Sequence, residues 1–365
     1  MIMRKIFIMM ALMAMTLSVS AQTRSVGEIT VGDCRYAINE KDNTVAVCTG
    51  LSAAGEQKVY DIEVLEEVTI DGKAYKVTQI GQKAFMNTAI KSIVIPGSVT
   101  HIFPEAFEQS EIEKVKFSEG LKCIGPGAFR RCMNLSEIEF PNSLVEILGT
   151  SFEMCPIKRL HFKADRGLID THAFICPDLE EITFSVDCGM GISHGAFHCP
   201  GVKTIVIAGD VKLGFNAFDG LYGLTRIVLK AKKNGERKGM TSGNEFHGAG
   251  GYDGNKTRLA EFVSESVLPP TILEDTFSDA QYATTTLVVP QEAIEDYRAA
   301  TGWSKFVNVR AIAGVDDIAA DKATIVSTEL YDLYGRAVAE PHSGQIVIER
   351  SVMSDGSVRT SKRMR

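Results

Sequence analysis

Hydrophobic positions recur along the middle of the chain with a period far longer than that of a helix or a strand. A phenylalanine marks each repeat, at steps of 22, 22, 23, 22, 23 and 21 residues, and an aliphatic residue stands five positions before it. Short strand patterns follow each phenylalanine by five or six residues, so every repeat predicts one β-strand. The repeat phenylalanines are Phe85, Phe107, Phe129, Phe152, Phe174, Phe197 and Phe218.

The predicted strands share the form aliphatic-x-x-aliphatic-x-apolar. They begin at Ile90, Ile112, Leu135, Ile157, Leu179, Val202 and Leu224. One strand in each repeat of 21–23 residues is typical of a leucine-rich repeat solenoid. A single repeat cannot bury its apolar side alone, so we expect the repeats to stack around a continuous core in which the phenylalanines form a structural spine.

The residues of the repeat also resemble those of a known family. Ile80-Gly81-Gln82-Lys83-Ala84-Phe85 and Ile93-Val94-Ile95-Pro96 are similar to the BspA-like leucine-rich repeats of bacterial surface proteins, and the resemblance extends over roughly residues 80–290. It implies a right-handed solenoid with a parallel β-sheet on one face. It also implies export of the protein, together with surface binding or adhesion.

Residues 22–75, before the repeats, predict a β-rich N-terminal cap. Strand patterns at 34–38 and 45–48 flank a polar turn. A second hairpin is predicted around Asp71-Gly72, because this dipeptide favours a type I′ turn. A solenoid needs its open end covered, and this segment lies where such a cap belongs.

The solenoid is predicted over residues 76–290, with one interruption. Residues 231–257 break the period and are rich in glycine and charge, which predicts a flexible insertion. Phe246 and the Leu259-x-x-Phe262 pattern predict that this insertion belongs to one more repeat. The period returns at Phe277, again with an isoleucine five positions earlier.

The C-terminal part of the chain predicts a second cap and a separate module. Residues 291–313 predict a helical cap that shields the last repeat, with a helix over Gln291–Ala300 and Trp303 just beyond its end. Residues 314–365 predict a polar linker followed by a small β module. Leu330–Val338 and Gly344–Ile348 are similar to the C-terminal sorting domains of type IX secretion cargo, although Ile346 replaces the usual aromatic residue.

The N-terminus predicts export. Residues 1–21 have the form of a signal peptide, with Arg4 and Lys5, an apolar run over 6–17, and small residues before a cleavage site after Ala21. A membrane anchor is the alternative, but the run is short of the ~20 residues needed to span a bilayer. No later stretch predicts a transmembrane span in the mature chain. We therefore expect a secreted or outer-membrane surface protein.

Charge excludes one class of partner. The formal net charge is −7, and removal of Arg4 and Lys5 with the signal peptide would leave −9. Binding to nucleic acid requires clustered lysine and arginine that neutralise phosphates, and an acidic exported chain is poorly suited to it. We expect no nucleic-acid partner.

Residues between the inward-facing aliphatics should point outward, because side chains alternate along a strand. Stacking then aligns them in columns at the ~4.8 Å spacing of neighbouring strands. These columns form the candidate ligand-binding face: Lys114, Lys116, Glu137, Glu139, Arg159, His161, Glu181 and Arg226. Two interpretations remain open. The alternating charges of Lys114, Glu137, Arg159 and Glu181 either satisfy one another in a ladder or offer a mixed-charge docking surface.

Four cysteines also fall in register, two or three residues after successive phenylalanines: Cys132, Cys155, Cys176 and Cys199. Three interpretations compete: buried free thiols, disulfides between neighbouring repeats, and a metal site with His172, His194 or His198. Cys34 and Cys48 lie on the two strands of a predicted hairpin and are candidates for a disulfide. Cys123 and Cys188 are predicted to be unpaired.

The sequence contains no arrangement of nucleophile, base and orienting group that predicts an enzyme. Glu245, His247, Asp253 and Asn255 lie among the glycines of the insertion and are more typical of solvated loop than of a catalytic or calcium site. We expect no cofactor. The predicted function is binding or adhesion to host or matrix proteins or glycans, with export machinery contacting the tail. The alternative is a passive structural or assembly component of the cell envelope.

Overall fold

The structure is a computed structural model, and it describes residues 28–39, 45–52, 61–231, 245–253, 256–312, 325–331, 338, 346–353 and 358–364. The predicted signal peptide and the start of the C-terminal linker lie outside the described residues. The chain divides into two units, Met1–Ala311 and Ile312–Arg365.

The first unit is the predicted solenoid. In all but one of the predicted repeats, one long strand pairs in parallel with a neighbouring strand, and these strands form a three-stranded and a seven-stranded sheet. The three-stranded sheet contains β4 (Asp61–Glu63), β7 (Ser92–Ile95) and β9 (Lys114–Phe117). The seven-stranded sheet contains β12 (Arg159–Phe162), β14 (Glu181–Phe184), β16 (Thr204–Ile207), β18 (Arg226–Leu229), β21 (Glu261–Ser264), β22 (Thr286–Val289) and β23 (Asn308–Ala311).

One predicted strand is wrong. The segment 137–140 has the same apolar pattern as its neighbours, yet it is not a strand and pairs with neither β9 nor β12. We call the side of the solenoid formed by these two sheets the long-strand face. It is interrupted at this repeat. Six of the seven strands predicted from the repeat pattern form.

A second line of short strands runs along the other side of the solenoid and was not predicted. Each contains the aliphatic residue five positions before the phenylalanine, and neighbouring members pair in parallel. These strands are β8 (His101–Ile102), β10 (Cys123–Ile124), β11 (Glu146–Ile147), β13 (Leu168–Ile169), β15 (Gly191–Ile192) and β17 (Lys212–Leu213).

The turn between the short strand and the phenylalanine explains two features of the repeat. The residue two positions before each phenylalanine has a left-handed backbone, as in Lys83 (φ 57°), Thr150 (φ 57°) and Gly195 (φ 53°). The small residue just before the phenylalanine is buried, and its carbonyl accepts a hydrogen bond from the phenylalanine amide of the preceding repeat. Phe85 donates to Ala106 in this way at 2.7 Å. A larger side chain would crowd this backbone ladder.

The phenylalanine spine forms as predicted. All seven rings are fully buried, and neighbouring rings from Phe85 to Phe197 stack with centroids 4.8–5.4 Å apart. Phe246 continues the stack 5.7 Å from Phe218 and 5.1 Å from Phe277. The prediction of one further repeat with an insertion is therefore confirmed. Of the insertion, residues 232–244 and 254–255 lie outside the described residues.

The N-terminal segment consists of strands as predicted. It contains β1 (Glu28–Val31), β2 (Cys34–Ile38), β3 (Val45–Leu51), β5 (Glu67–Ile70) and β6 (Lys73–Ile80). β5 and β6 form the predicted hairpin, with Asp71 and Gly72 both at positive φ. β6 also pairs in parallel with β8, so the end of this hairpin strand is the first member of the short-strand line.

At the C-terminal end the repeats finish in helical turns and one more strand. The helices are α1 (Asp279–Thr284) and α2 (Ile294–Ala299), and Trp303 lies buried beyond α2 as predicted. α1 begins with a capping box between Ser278 and Gln281. Two further strands, β19 (Tyr252–Asp253) and β20 (Lys256–Thr257), pair as a short ribbon in the insertion.

The second unit contains an antiparallel sheet of three strands: β24 (Ile325–Tyr331), β25 (Ile346–Met353) and β26 (Val358–Met364). This confirms the small C-terminal β module. Most residues of the Leu330–Val338 motif lie outside the described residues.

Candidate binding face

The long-strand face presents the predicted columns to solvent. Glu181 is half-buried, and the other seven candidate side chains are exposed: Lys114, Lys116, Glu137, Glu139, Arg159, His161 and Arg226. The structure therefore brings the predicted residues together on one side of the solenoid. Whether they bind a ligand stays a prediction.

The predicted ladder of alternating charges is formed only in part. Arg159 and Glu181 lie 3.9 Å apart, from the arginine Nε to a carboxylate oxygen. Within the described part of the chain, no ion pair joins Lys114 to Glu137 or Glu137 to Arg159. The N-terminal half of the face thus keeps unpaired charges, which favours the docking interpretation there.

Glu261 and Arg310 extend this face, and the sequence did not reveal them. Glu261 on β21 contacts Arg226 at 3.5 Å, and it also accepts a hydrogen bond from Arg310 on β23. Arg226 and Glu261 are 35 positions apart because the insertion lies between their strands, which hides their common register. The C-terminal half of the face is therefore largely self-satisfied.

The apolar residues at the ends of the outward-facing columns are less exposed to solvent than their positions on the strands predict. Val94 and Val206 are half-buried, and Val228 is buried. The exposed surface of this face is consequently dominated by charged side chains in its central repeats.

The pKa of His161 on this face is lowered. Partial burial lowers the pKa of His161, and the positive charge of Lys163 lowers it further, while Glu181 opposes the shift. The shift favours the neutral imidazole, so the fixed positive charge of this face comes from lysine and arginine.

We expect the His161 pKa, measured by NMR titration of its ring protons, to lie below that of an unstructured histidine. Lys163→Gln should raise it, because a nearby positive charge is removed. Glu181→Gln should lower it further, because an attractive negative charge is lost. Shifts of the opposite sign in these two variants would contradict this electrostatic description.

The four column cysteines are buried free thiols, which confirms the first of the three interpretations. Each thiol donates to the carbonyl of the phenylalanine one repeat earlier. Cys132 contacts the Phe107 oxygen at 3.0 Å and Cys155 contacts the Phe129 oxygen at 3.0 Å. Cys176 and Cys199 repeat the contact with Phe152 and Phe174. The thiols thus satisfy backbone acceptors in the turn.

The disulfide interpretations are wrong in this structure. All eight cysteines are free, including Cys34 and Cys48. Cys48 is the register partner of Tyr36, and Cys34 lies two pairs further along, opposite Leu51. The two thiols hydrogen-bond to each other, which lowers the pKa of Cys34, and they remain free thiols. Nor does the described part of the chain contain three histidine, cysteine, aspartate or glutamate side chains grouped around a common metal position.

We expect none of the cysteines to react readily with Ellman's reagent in the native protein. All eight are buried, which limits access of the reagent. Burial also raises the pKa of the Cys155 thiol well above its ordinary value, which suppresses the reactive thiolate. Hydrogen bonds from Cys48 and Cys155 lower the pKa of Cys34 and Cys132, so the protection of these two rests on burial alone. Denaturation without reductant should release eight titratable thiols. A count of six or fewer would reveal disulfides and contradict this description.

The prediction that the insertion residues lie in a solvated loop is wrong for Glu245. Glu245 is buried beside the stacked ring of Phe246, and His247 is half-buried. Asp253 is placed as part of β19, and Asn255 lies outside the described residues. Gln281 of α1 closes this turn, because its amide donates to the carbonyls of Phe246 and Ala249 at 2.7 and 3.0 Å. The described part of the insertion is thus built into the repeat stack.

No helix among the described residues is both long and apolar enough to cross a membrane.

Comparison with family models gives a match in the repeat region. The model described as "BspA type Leucine rich repeat region" matches in six copies over residues 39–112 and 100–225, which together cover just over half of the 365 residues. A comparison with curated proteins gives no match.

Several solved structures are similar to this chain. A leucine rich cell surface protein from Faecalibacterium prausnitzii is 18% identical, with 81% of this chain and 98% of that chain covered and a TM-score of 0.45. The T. pallidum leucine rich repeat protein is 19% identical, with 54% and 90% covered and a TM-score of 0.42. A leucine-rich repeat protein from Bacteroides ovatus is 15% identical, with 78% and 100% covered and a TM-score of 0.28.

Proposed function

Because this chain belongs to the BspA-type leucine-rich repeat family, we propose that it is an exported protein whose long-strand face binds host or matrix proteins or glycans. Membership in this family of surface proteins indicates a binding or structural module. The finer assignment, adhesion to host targets, is our proposal.

The observation that carries the proposal is the run of exposed charges on neighbouring repeats. Lys114, Lys116, Glu137 and Glu139 are exposed and form no ion pairs within the described residues, and Arg159 is exposed beside them. A folded protein gains little from unpaired charges held in a fixed array. Such an array gives electrostatic complementarity to a partner, which governs specificity and the rate of association.

Rigidity supports the same proposal. Most of these charged residues stand on strands backed by the stacked phenylalanine spine, which fixes the spacing of their backbone positions without a ligand; Glu137 and Glu139 stand on the unpaired segment between β9 and β12. Extended surfaces of this kind are the usual binding surfaces of solenoid proteins, because the small rotation between repeats spreads them along one side.

A structural role in the cell envelope is the second candidate. The paired charges of Arg226, Glu261 and Arg310 favour it, because that half of the face satisfies itself without a partner. In this case the protein should co-purify with envelope components and give no saturable binding to soluble ligands.

Export and surface location are proposed from the N-terminal signal pattern and the sorting-like tail, and the tail is proposed to contact the export machinery. Fractionation of cells that produce the full chain, or a chain ending at residue 313, tests this. The full chain should appear at the surface or in the medium, and the truncated chain should accumulate inside. Equal surface amounts would remove the sorting role.

An array experiment tests the binding function. The purified mature chain is probed against host matrix proteins, mucins and glycans at low and physiological salt. The proposal predicts a saturable hit that weakens as salt rises, since exposed charges are screened over a Debye length of ~8 Å at physiological ionic strength. Folded protein that gives no hit across the array would favour the structural role.

A further inference from the structure

The long-strand face contains an open seam where the segment 137–140 fails to pair with β9. Backbone pairing is regular on the N-terminal side, where β9 pairs with β7 over all four of its residues. It is regular again from β12 onward. The segment 137–140 pairs as a strand with neither β9 nor β12, but Lys158 beside β12 still donates to the Ser136 carbonyl at 3.4 Å.

The aromatic contacts show on which side of the solenoid the seam opens. Phe140 stacks on Phe162 at 5.4 Å, and Phe162 stacks on Phe184 at 5.2 Å. Within the described residues, no such contact joins Phe117 to Phe140. The spine rings of the same two repeats remain tight, since Phe107 and Phe129 are 4.8 Å apart. The repeats are thus closed at the spine and separated at the strands.

The seam leaves apolar side chains half-buried whose equivalents on most strands of this face are buried; the edge strand β23, where Val309 is half-buried, is the other exception. Val115 and Ile138 are half-buried, whereas the equivalent Ile93, Leu160 and Ile182 are 1% exposed or less. Phe117 is likewise half-buried. Clustered apolar side chains that are reachable from solvent mark contact sites more often than isolated ones do.

The two walls of the seam carry opposite charges. Lys114 and Lys116 stand on the β9 side, and Glu137 and Glu139 stand on the other. None of the four forms an ion pair or a side-chain hydrogen bond within the described part of the chain. The groove over these residues has a volume of about 420 Å³, and Val115 and Ile138 are among its lining residues. It extends across β9 to Ser92, Ile93 and Val94 of β7.

These observations define the chemistry of an occupant. A cavity of ~150 Å³ suffices for a benzene ring, so the groove has room for one large apolar side chain and its neighbouring backbone. Across the strands, that side chain would be flanked by the lysine wall on one side and the glutamate wall on the other. An occupant with a uniform charge would be attracted by one wall and repelled by the other.

We propose that the seam binds an extended peptide segment of a partner protein that crosses the strands, with a large apolar side chain in the groove. In the peptide, an acidic residue on one side of this apolar residue contacts Lys114 and Lys116, and a basic residue on the other side contacts Glu137 and Glu139. This inference rests on the proposed binding function and adds the recognition chemistry of its central site.

Three synthetic peptides test the proposal with the full mature chain: DDGWGKK, DDGWGDD and KKGWGKK. Titration calorimetry should show tightest binding for DDGWGKK, by about fivefold over the others, since each exposed ion pair contributes ~0.2–1 kcal/mol. DDGAGKK should bind about tenfold more weakly than DDGWGKK, because burial of a large apolar side chain contributes several-fold more than an alanine.

Wall-reversal variants are matched tests. Lys114→Glu with Lys116→Glu should shift the preference to KKGWGKK, and Glu137→Lys with Glu139→Lys should shift it to DDGWGDD. All four side chains are exposed, so both variants should fold, which circular dichroism verifies.

No peptide binding, equal affinity for the three charge patterns, or preferences unmoved by wall reversal would each overturn the proposal. The binding function itself is tested separately. A hit on the ligand array that persists in both wall variants, without peptide binding at the seam, would leave the proposed function standing and remove this site.

Discussion

Phe174→Ala should lower the free energy of unfolding by about 3–5 kcal/mol. Phe174 is fully buried at the centre of the spine, stacked on Phe152 at 5.0 Å and on Phe197 at 5.4 Å. Phe140 and Phe162 contact it edge-on. Removal of the ring leaves a cavity between repeats that the stacked backbone cannot close, so both transfer and cavity costs apply.

Chemical denaturation followed by far-ultraviolet circular dichroism measures this effect. Phe215→Ala is the matched control, because the same atoms are removed from a ring that is 53% exposed. The control should change stability by less than ~0.5 kcal/mol. Equal losses in the two variants would contradict the assignment of the phenylalanine spine as the core of the solenoid.

Trp303→Ala should also lower the free energy of unfolding by about 3–5 kcal/mol, but the loss of stability should be confined to the C-terminal repeats. Trp303 is buried, and its indole Nε1 donates to the Pro270 carbonyl at 2.7 Å. Its ring contacts Tyr297 and Phe306. Since a repeat contacts only its neighbours, loss of the cap should unfold the terminal repeats first.

Native-state hydrogen exchange resolves this local effect. Amides of β22 and β23 should lose protection in Trp303→Ala, while those of β14 should keep theirs. Val307→Ala is the control, since Val307 is 73% exposed close to the same cap. A uniform loss of protection along the solenoid would show that Trp303 does not act as a local cap.

The sequence predicted those parts of the fold that depend on repetition. The period of the phenylalanines located the spine. The strand pattern Leu259-x-x-Phe262 and the isoleucine five positions before Phe277 identified Phe246 and Phe277 as further members, although the insertion breaks the period. The short-strand line was missed because two residues, such as His101–Ile102, are too few for an alternating pattern. The left-handed turn positions were missed because residues as different as Lys83 and Thr150 occupy them.

The segment 137–140 shows where a local pattern is insufficient. Its letters match those of neighbouring strands, and its charges are complementary to those of β9. Strand formation also depends on how closely two repeats approach, and that distance is set by packing across the whole turn. The sequence pattern of one repeat does not reveal the distance between that repeat and its neighbour.

The position of the candidate face was predicted from the sequence, but only some of the ion pairs between its residues were. Alternation along strands placed Lys114, Arg159 and Arg226 on one side correctly. The partner of Arg226 was missed, because the insertion separates Glu261 from it in sequence. The cysteine column was predicted from register, but the donation of its thiols to phenylalanine carbonyls requires the geometry of the turn.

Charge reversal on the face tests the central claim most directly. The strongest ligand from the array is titrated against wild type, against Lys114→Glu/Lys116→Glu/Arg159→Glu on the long-strand face, and against a control. The control, Lys122→Glu/Arg166→Glu/Lys212→Glu, makes the same change in net charge at exposed positions beside or within the short strands.

Binding through the long-strand face predicts that the first variant weakens affinity by about tenfold or more, since rim charges contribute up to ~1 kcal/mol each. The control variant should bind like wild type at physiological salt. Equal weakening in both variants, or no weakening in the first, would contradict the claim that this face is the binding surface.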